Sequence, residues 1–178
     1  MHLEKKNHFV KKISSVSIVT YRMFMMALFM AVFFMYFWIS DDAYQGYVQV
    51  VNLVENGVFG YNAIERINTS TCILFEFLMI PLYYVFRDLF LSAFIIHTIT
   101  NGIALYILLF KLCKTKACVV SSGVVLLGSY YFMSFCSSGL ENSLIFMLGA
   151  IFINMYTSTE EWSYRKIIGL VLIDSCLL

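Results

Sequence analysis

Charge is scarce in this chain: Asp, Glu, Lys and Arg make up 13% of its 178 residues, where soluble globular domains carry about a quarter. With 61% of the residues apolar, that shortage excludes a soluble globular domain and places the chain in a lipid bilayer. Proline is nearly missing. Pro81 alone can bend a helix or force one to begin. A glycine-rich phosphate loop, a metal-ligand helix and a nucleophile elbow are all lacking, which excludes soluble nucleotide-dependent chemistry. No nucleic-acid partner is expected. The five cysteines (Cys72, Cys113, Cys118, Cys136, Cys176) have no histidine or second cysteine pair beside them. They form neither a zinc site nor a disulfide framework, and read as free buried thiols.

What is present is apolar sequence in long runs. Crossing a bilayer takes about 20 mostly apolar residues, and such stretches lie over 18–39, 89–110, 117–135, 142–157 and 165–178. The basic start, Met1 to Lys12, precedes a run ending in Phe37-Trp38-Ile39-Ser40-Asp41, with no small-residue cleavage site. It reads as an uncleaved signal anchor. Arg22, just inside that run, is expected to snorkel to the headgroups.

The stretch 70–86 is apolar at both ends but carries Glu76 and Pro81. A carboxylate at mid-bilayer costs about 2.5–3.5 kcal/mol. If 70–86 crosses, Lys111, Lys114, Lys116, Arg165 and Lys166 fall opposite Lys5, Lys6, Lys11 and Lys12. If it lies in the interface or dips in and returns, all nine share the cytoplasmic side, leaving Arg66 and Arg87 outside. The positive-inside rule selects the second arrangement. The expected fold is therefore an all-α integral membrane protein of about five transmembrane helices, without a separate soluble domain. Its N-terminus is cytoplasmic, its first extracytoplasmic loop covers about 40–88, and Ser137 to Asn142 forms a short second outer turn.

Within the long loop, Ala43 to Glu55 sets Tyr44, Tyr47, Val48, Val51 and Val54 at helical spacing, with Gln45, Gln49 and Asn52 between them. That is an amphipathic helix on the membrane surface, ended by Gly57 and Gly60. Thr69 to Phe86 reads as a second interfacial helix, bent or started at Pro81.

Acidic residues gather on the outer side. Asp41-Asp42, directly after the first helix, supplies the proton acceptor that general-base chemistry needs. Residues i and i+1 do not share a helix face, so one should work and the other support it, with Arg66 as a pairing partner. Two aspartates also suit the solvated end of any helix. Glu65-Arg66 is either an exposed ion pair or, through the planar fork of Arg66, a phosphate ligand. Glu141, at the mouth of the fourth crossing, complements a helix dipole or lines a site. His97, inside the second crossing, is expected to bond a neighbouring helix.

Taken together, three stretches carry a resemblance. Asp41-Asp42-Ala43-Tyr44 is followed by Asn52, Gly57, Tyr61-Asn62, Glu65-Arg66 and Thr69-Ser70, and later by Ser138-Gly139-Leu140-Glu141. This order resembles the multi-spanning glycosyltransferases of the GT-C superfamily, in the branch that includes the bacterial arabinofuranosyltransferases. The likeness covers about 41–71 and 137–145.

It implies a donor sugar carried on a polyprenyl phosphate in a bacterial inner membrane, and a cell-envelope glycan or other extracytoplasmic acceptor. Asp41 or Asp42 would deprotonate the acceptor hydroxyl, and Arg66, with Glu65 beside it, would steady the departing phosphate. Glu141 would line the acceptor side or position the base. The resemblance requires no organic cofactor; some members of the superfamily use a divalent cation at such acids. Relatives are longer, and where they tend to show an Arg-Pro-acid motif this chain has Ile173-Asp174-Ser175-Cys176. The chain is therefore expected to be the N-terminal portion of a transferase, from a truncated or frameshifted gene. Two other readings compete. A transporter or flippase component needs polar residues inside the spans, where His97, Asn101 and Asp174 qualify. A non-catalytic membrane scaffold needs none.

Overall fold

The computed structural model describes residues 17–62, 72–158 and 164–177. Among the described residues every regular element is helical. The order is α1 (Ile18–Tyr36), α2 (Asp41–Asn56), α3 (Ile73–Phe86), α4 (Leu89–Tyr106, running into a π-helical turn, Ile107–Leu112), α5 (Lys116–Gly128), α6 (Tyr130–Ser137), α7 (Asn142–Tyr156) and α8 (Tyr164–Leu177).

Two of these are long and apolar enough to cross a membrane: α1, with 19 residues, and α4 with its π turn, with 24. At about 1.5 Å per residue, α1 covers roughly 28 Å, close to the thickness of a hydrocarbon core. The stretch 117–135 is not a straight crossing, because α5 and α6 meet at 75°. Ser129 makes the corner. Its N–H bonds the Val125 carbonyl at 3.1 Å and ends α5, while its Oγ accepts the Phe132 N–H at 3.3 Å and starts α6. Counted as one broken span, the pair brings the total to three. The apolar helices α3 and α7 are shorter, 14 and 15 residues. Ser129→Ala removes the α6 cap and is expected to cost about 1 kcal/mol. Faster amide exchange at Phe132 and Met133 would report it.

The bundle is organised around α4, which packs along α7 and also meets α1 and α3. Lipid is as apolar as leucine, so close packing and interhelical hydrogen bonds hold such helices together. Phe33 is fully buried and stacks on Phe94 at 6.0 Å, with Phe37 edge-on to both. Thr100 donates to Ser143 Oγ at 2.9 Å, and Asn101 Nδ2 to the Cys136 carbonyl at 3.3 Å. His97 and Asn101 are thus engaged with neighbouring elements, as packing polar groups are.

The amphipathic helix expected over 43–55 is α2, closed by Gly57 in the left-handed region at φ 70°. Its buried face overlaps the expected one, with Tyr47 buried and Val51 and Val54 packed on the same cluster, but is centred differently. Ala43, Tyr47 and Val50 point inward with Gln49, whereas Tyr44 is 47% exposed. They pack against Phe75 and Met79 of α3, so this face meets protein. The expected start at Thr69 lies outside the described residues. Pro81 neither starts nor stops α3, which runs on to Phe86. The bond a proline cannot donate would have gone to the Phe77 carbonyl, on an exposed residue. Arg22, expected to snorkel, is engaged within the protein: its Nη2 donates to the Cys113 carbonyl at 2.7 Å, and the guanidinium lies 5.4 Å from the Phe110 ring centre.

Candidate functional site

The segment after α1 and the turn after α6 lie side by side. Trp38 N–H donates to the Ser137 carbonyl and Ser40 N–H to the Ser138 carbonyl, both at 2.9 Å. This pairing joins two motifs that stand nearly a hundred residues apart. Ser40 Oγ then accepts the Ala43 N–H at 3.3 Å, so α2 begins at once, with Asp41 and Asp42 in its first turn. Asp42 and Glu141 line one cavity of about 280 Å³, between α2, the start of α3 and the turn Gly139–Glu141. Both aspartates are exposed, but Asp42 lines the cavity whereas Asp41 lies outside its walls. The structure thus separates two aspartates that the sequence leaves equivalent.

The turn is held from two sides. Tyr47 donates its hydroxyl to the Gly139 carbonyl. Burial first, then the charge of Glu141 and the neighbouring Tyr44, push the Tyr47 phenol up, so it stays a neutral donor. On the other side, His97 Nε2 sits 2.7 Å from the Leu140 carbonyl, and its Nδ1 sits 2.8 Å from that of Ala93. Gly139 itself has φ +79°, a conformation that favours glycine.

Glu76 was the misplaced charge of an otherwise apolar stretch; here it is a wall of the cavity, 3% exposed. An ionisable group in apolar helical sequence is itself a signal of function, and it was the clue available before the fold. Its carboxylate lies so close to α2 that a Cβ on Gly46 would stand 2.6 Å from Oε1. Gly46→Ala therefore has to displace the Glu76 side chain, at a cost of about 1–3 kcal/mol. Combined with Glu76→Ala, which removes the obstacle, the cost should largely vanish. A double-mutant cycle of thermal midpoints measures that coupling.

Cys72 completes the wall beside Phe75. Burial pushes its thiol up, the Phe75 N–H opposes this, and the charge of Glu141 adds to the rise. Glu65 and Arg66 lie outside the described residues. Among the described residues, no three His, Cys, Asp or Glu side chains come close enough together to hold a metal ion.

No protein-family model, curated protein or solved structure matches this chain.

The remaining charged pair near this end, Arg87 with Glu55 at 3.9 Å, is about half exposed on both sides and contributes little. Among the described residues, the cavity walls carry carboxylates, a phenol and amide groups but no Lys, Arg or His. Such a lining accepts hydrogen bonds. It suits a small ligand rich in hydroxyls, and its volume is near the lower end of the roughly 300–1,000 Å³ common for ligand pockets.

Proposed function

We propose that the cavity is the sugar site of a membrane glycosyltransferase, or of the N-terminal portion of one, which takes its donor from a polyprenyl phosphate. The observation that carries this reading is the convergence of Asp42 and Glu141, from separate motifs, on one cavity whose walls accept hydroxyl protons. In this reading about five helices cross the membrane, α2 and α3 lie at the outer interface, and the cavity opens away from the cytoplasm of a bacterium. Lys111, Lys114 and Lys116 follow the opposite end of α4, which supports that orientation.

The chemistry follows from the groups present. Asp42 accepts the proton of an acceptor hydroxyl as its oxygen attacks the anomeric carbon. The bond from that carbon to the lipid phosphate breaks, the phosphate leaves with the electron pair, and the configuration inverts. A positioned base supplies about 10²–10⁴-fold, and holding two bound substrates in register supplies much of the rest. Glu141 and Glu76 receive sugar hydroxyls. By the family resemblance Arg66, with Glu65 beside it in sequence, would steady the departing phosphate.

Reconstituting the chain in vesicles that contain a polyprenyl-phosphate sugar tests this. Binding of the donor, weakened about tenfold or more by Glu141→Gln, is the expected result, since a hydrogen bond to a charged group is worth roughly 1.5–3 kcal/mol. Equal binding of the donor and of the bare polyprenyl phosphate would contradict it. A transport path is less well supported, because the buried polar residues of α4 already hold partners on the turn and on α6 and α7.

A further inference from the structure

At the far end of α1 from the cavity, two cysteines touch. Cys113 follows the π-helical turn of α4, and Cys118 lies in the first turn of α5, with its Sγ 2.9 Å from that of Cys113. Nothing in the cavity uses them. Their spacing, with four residues between them, resembles no metal motif, and no third ligand stands near among the described residues.

The contact is built rather than incidental. The Cys113 backbone is pinned twice: its N–H reaches the Leu108 carbonyl at 2.9 Å, closing the π turn, and its carbonyl accepts the Arg22 guanidinium at 2.7 Å. Ser122, one helical turn beyond Cys118, meets the Cys113 sulfur at 3.4 Å from the same face of α5. Cys118 has its own N–H held by the Thr115 hydroxyl at 3.2 Å. Both backbones are therefore fixed with the sulfurs facing each other. Single-turn π segments often mark functional sites, and this one delivers Cys113 to that position. The two thiols differ in access, since Cys113 is 2% exposed whereas Cys118 is half-buried.

We propose that Cys113 and Cys118 form a dithiol–disulfide couple, oxidised by a low-molecular-weight disulfide of the glutathione class. The accessible Cys118, as its thiolate, attacks one sulfur of the oxidant. The oxidant's S–S bond breaks, one thiolate leaves, and a mixed disulfide remains on Cys118. Cys113, losing its proton, then attacks the Cys118 sulfur and expels the second thiolate. The two protons lost by the cysteines end on the two released thiols; the protein is oxidised by two electrons and the small disulfide is reduced by two. The bond formed joins the end of α4 to the start of α5, inside the small apolar cluster of Leu109, Cys113 and Val119 against which Ile18, Tyr21 and Met25 of α1 pack. It ties α4 to α5 at their lysine-bearing end, under the packing of α1, and dithiothreitol reverses it.

Lys114 and Lys116 lie between the two cysteines, so trypsin separates their peptides unless a disulfide joins them; the Cys118 peptide, 117–165, also carries Cys136, so fragment ions of the linked pair assign which of the two is joined to Cys113. The full chain, folded in detergent, is incubated with glutathione disulfide; remaining thiols are alkylated and the digest is mapped by mass. The expected product is a Cys113-peptide linked to a Cys118-peptide, two hydrogens lighter than the free pair and separated by reduction. In Cys113→Ser the reaction should stop at glutathione on Cys118, and in Cys118→Ser position 113 should remain alkylatable. Recovery of both wild-type cysteines alkylated, or of a stable glutathione adduct on Cys118 beside an alkylated Cys113, overturns the proposal. The wild-type map decides the matter without the variants, and it is independent of sugar transfer.

Discussion

Asp42→Asn is expected to lower sugar transfer by about 10²–10⁴-fold, the contribution of a positioned general base, while donor binding changes little. Asp41→Asn should leave the rate within about twofold, as for a surface substitution away from the chemistry. The contrast rests on geometry: both aspartates are exposed, but Asp42 lines the cavity and Asp41 does not. Both substitutions remove the same charge from the same helix turn, so a general electrostatic effect would move the two rates together. Initial rates of transfer from a polyprenyl-phosphate sugar, with each variant assayed at saturating donor, separate the cases. Equal losses would mean that the acids act as a pair and that the cavity does not select between them.

Gly139→Val should be the most damaging small change to the structure itself. The position has φ +79°, where a side chain is strained. A Cβ would also stand 3.2 Å from Ile39 Cα and 3.3 Å from the Trp38 carbonyl, backbone atoms that cannot swing aside. Strain and overpacking together amount to about 2–5 kcal/mol, or roughly 10 °C in thermal midpoint for a chain of this size. The same substitution breaks the pairing that brings Asp42 to Glu141, so transfer should fall with stability. Gly149→Ala, at a helix position with nothing within 4 Å of the added Cβ, is the control. It should leave the midpoint unchanged or raise it slightly.

Composition was enough to read an all-helical chain with helices apolar enough to cross a membrane; α1, α4, α7 and α8 fall close to the apolar runs, and α2 close to the expected amphipathic stretch. The corner at Ser129 was not legible, because a serine that ends one helix and caps the next looks in sequence like any serine in an apolar run. The register of α2 was legible only in part: Tyr47, Val51 and Val54 face the core as expected, and Tyr44 does not. Periodicity identified an amphipathic helix, but which residues face inward depends on α3, and that choice put Tyr47 under the Gly139 turn and left Tyr44 outside. Asp42 and Glu141 were both candidates from the sequence; their convergence required the backbone pairing of Trp38 and Ser40 with the Ser137–Ser138 segment. Glu76 was visible as a costly charge, yet without Gly46 opposite it the sequence offered no reason to place it in the same cavity. The Cys113–Cys118 contact was invisible for a similar reason, since it depends on a π turn that no apolar pattern announces.

Sidedness of the acidic cavity underlies every functional step, and one labelling experiment reaches it. Asp42→Cys and Lys114→Cys chains, in sealed vesicles of known orientation, are treated from the non-cytoplasmic side with a membrane-impermeant maleimide, and adducts are located by peptide mass. The account predicts modification at position 42 and protection at 114. Modification at 114 with protection at 42 would contradict it.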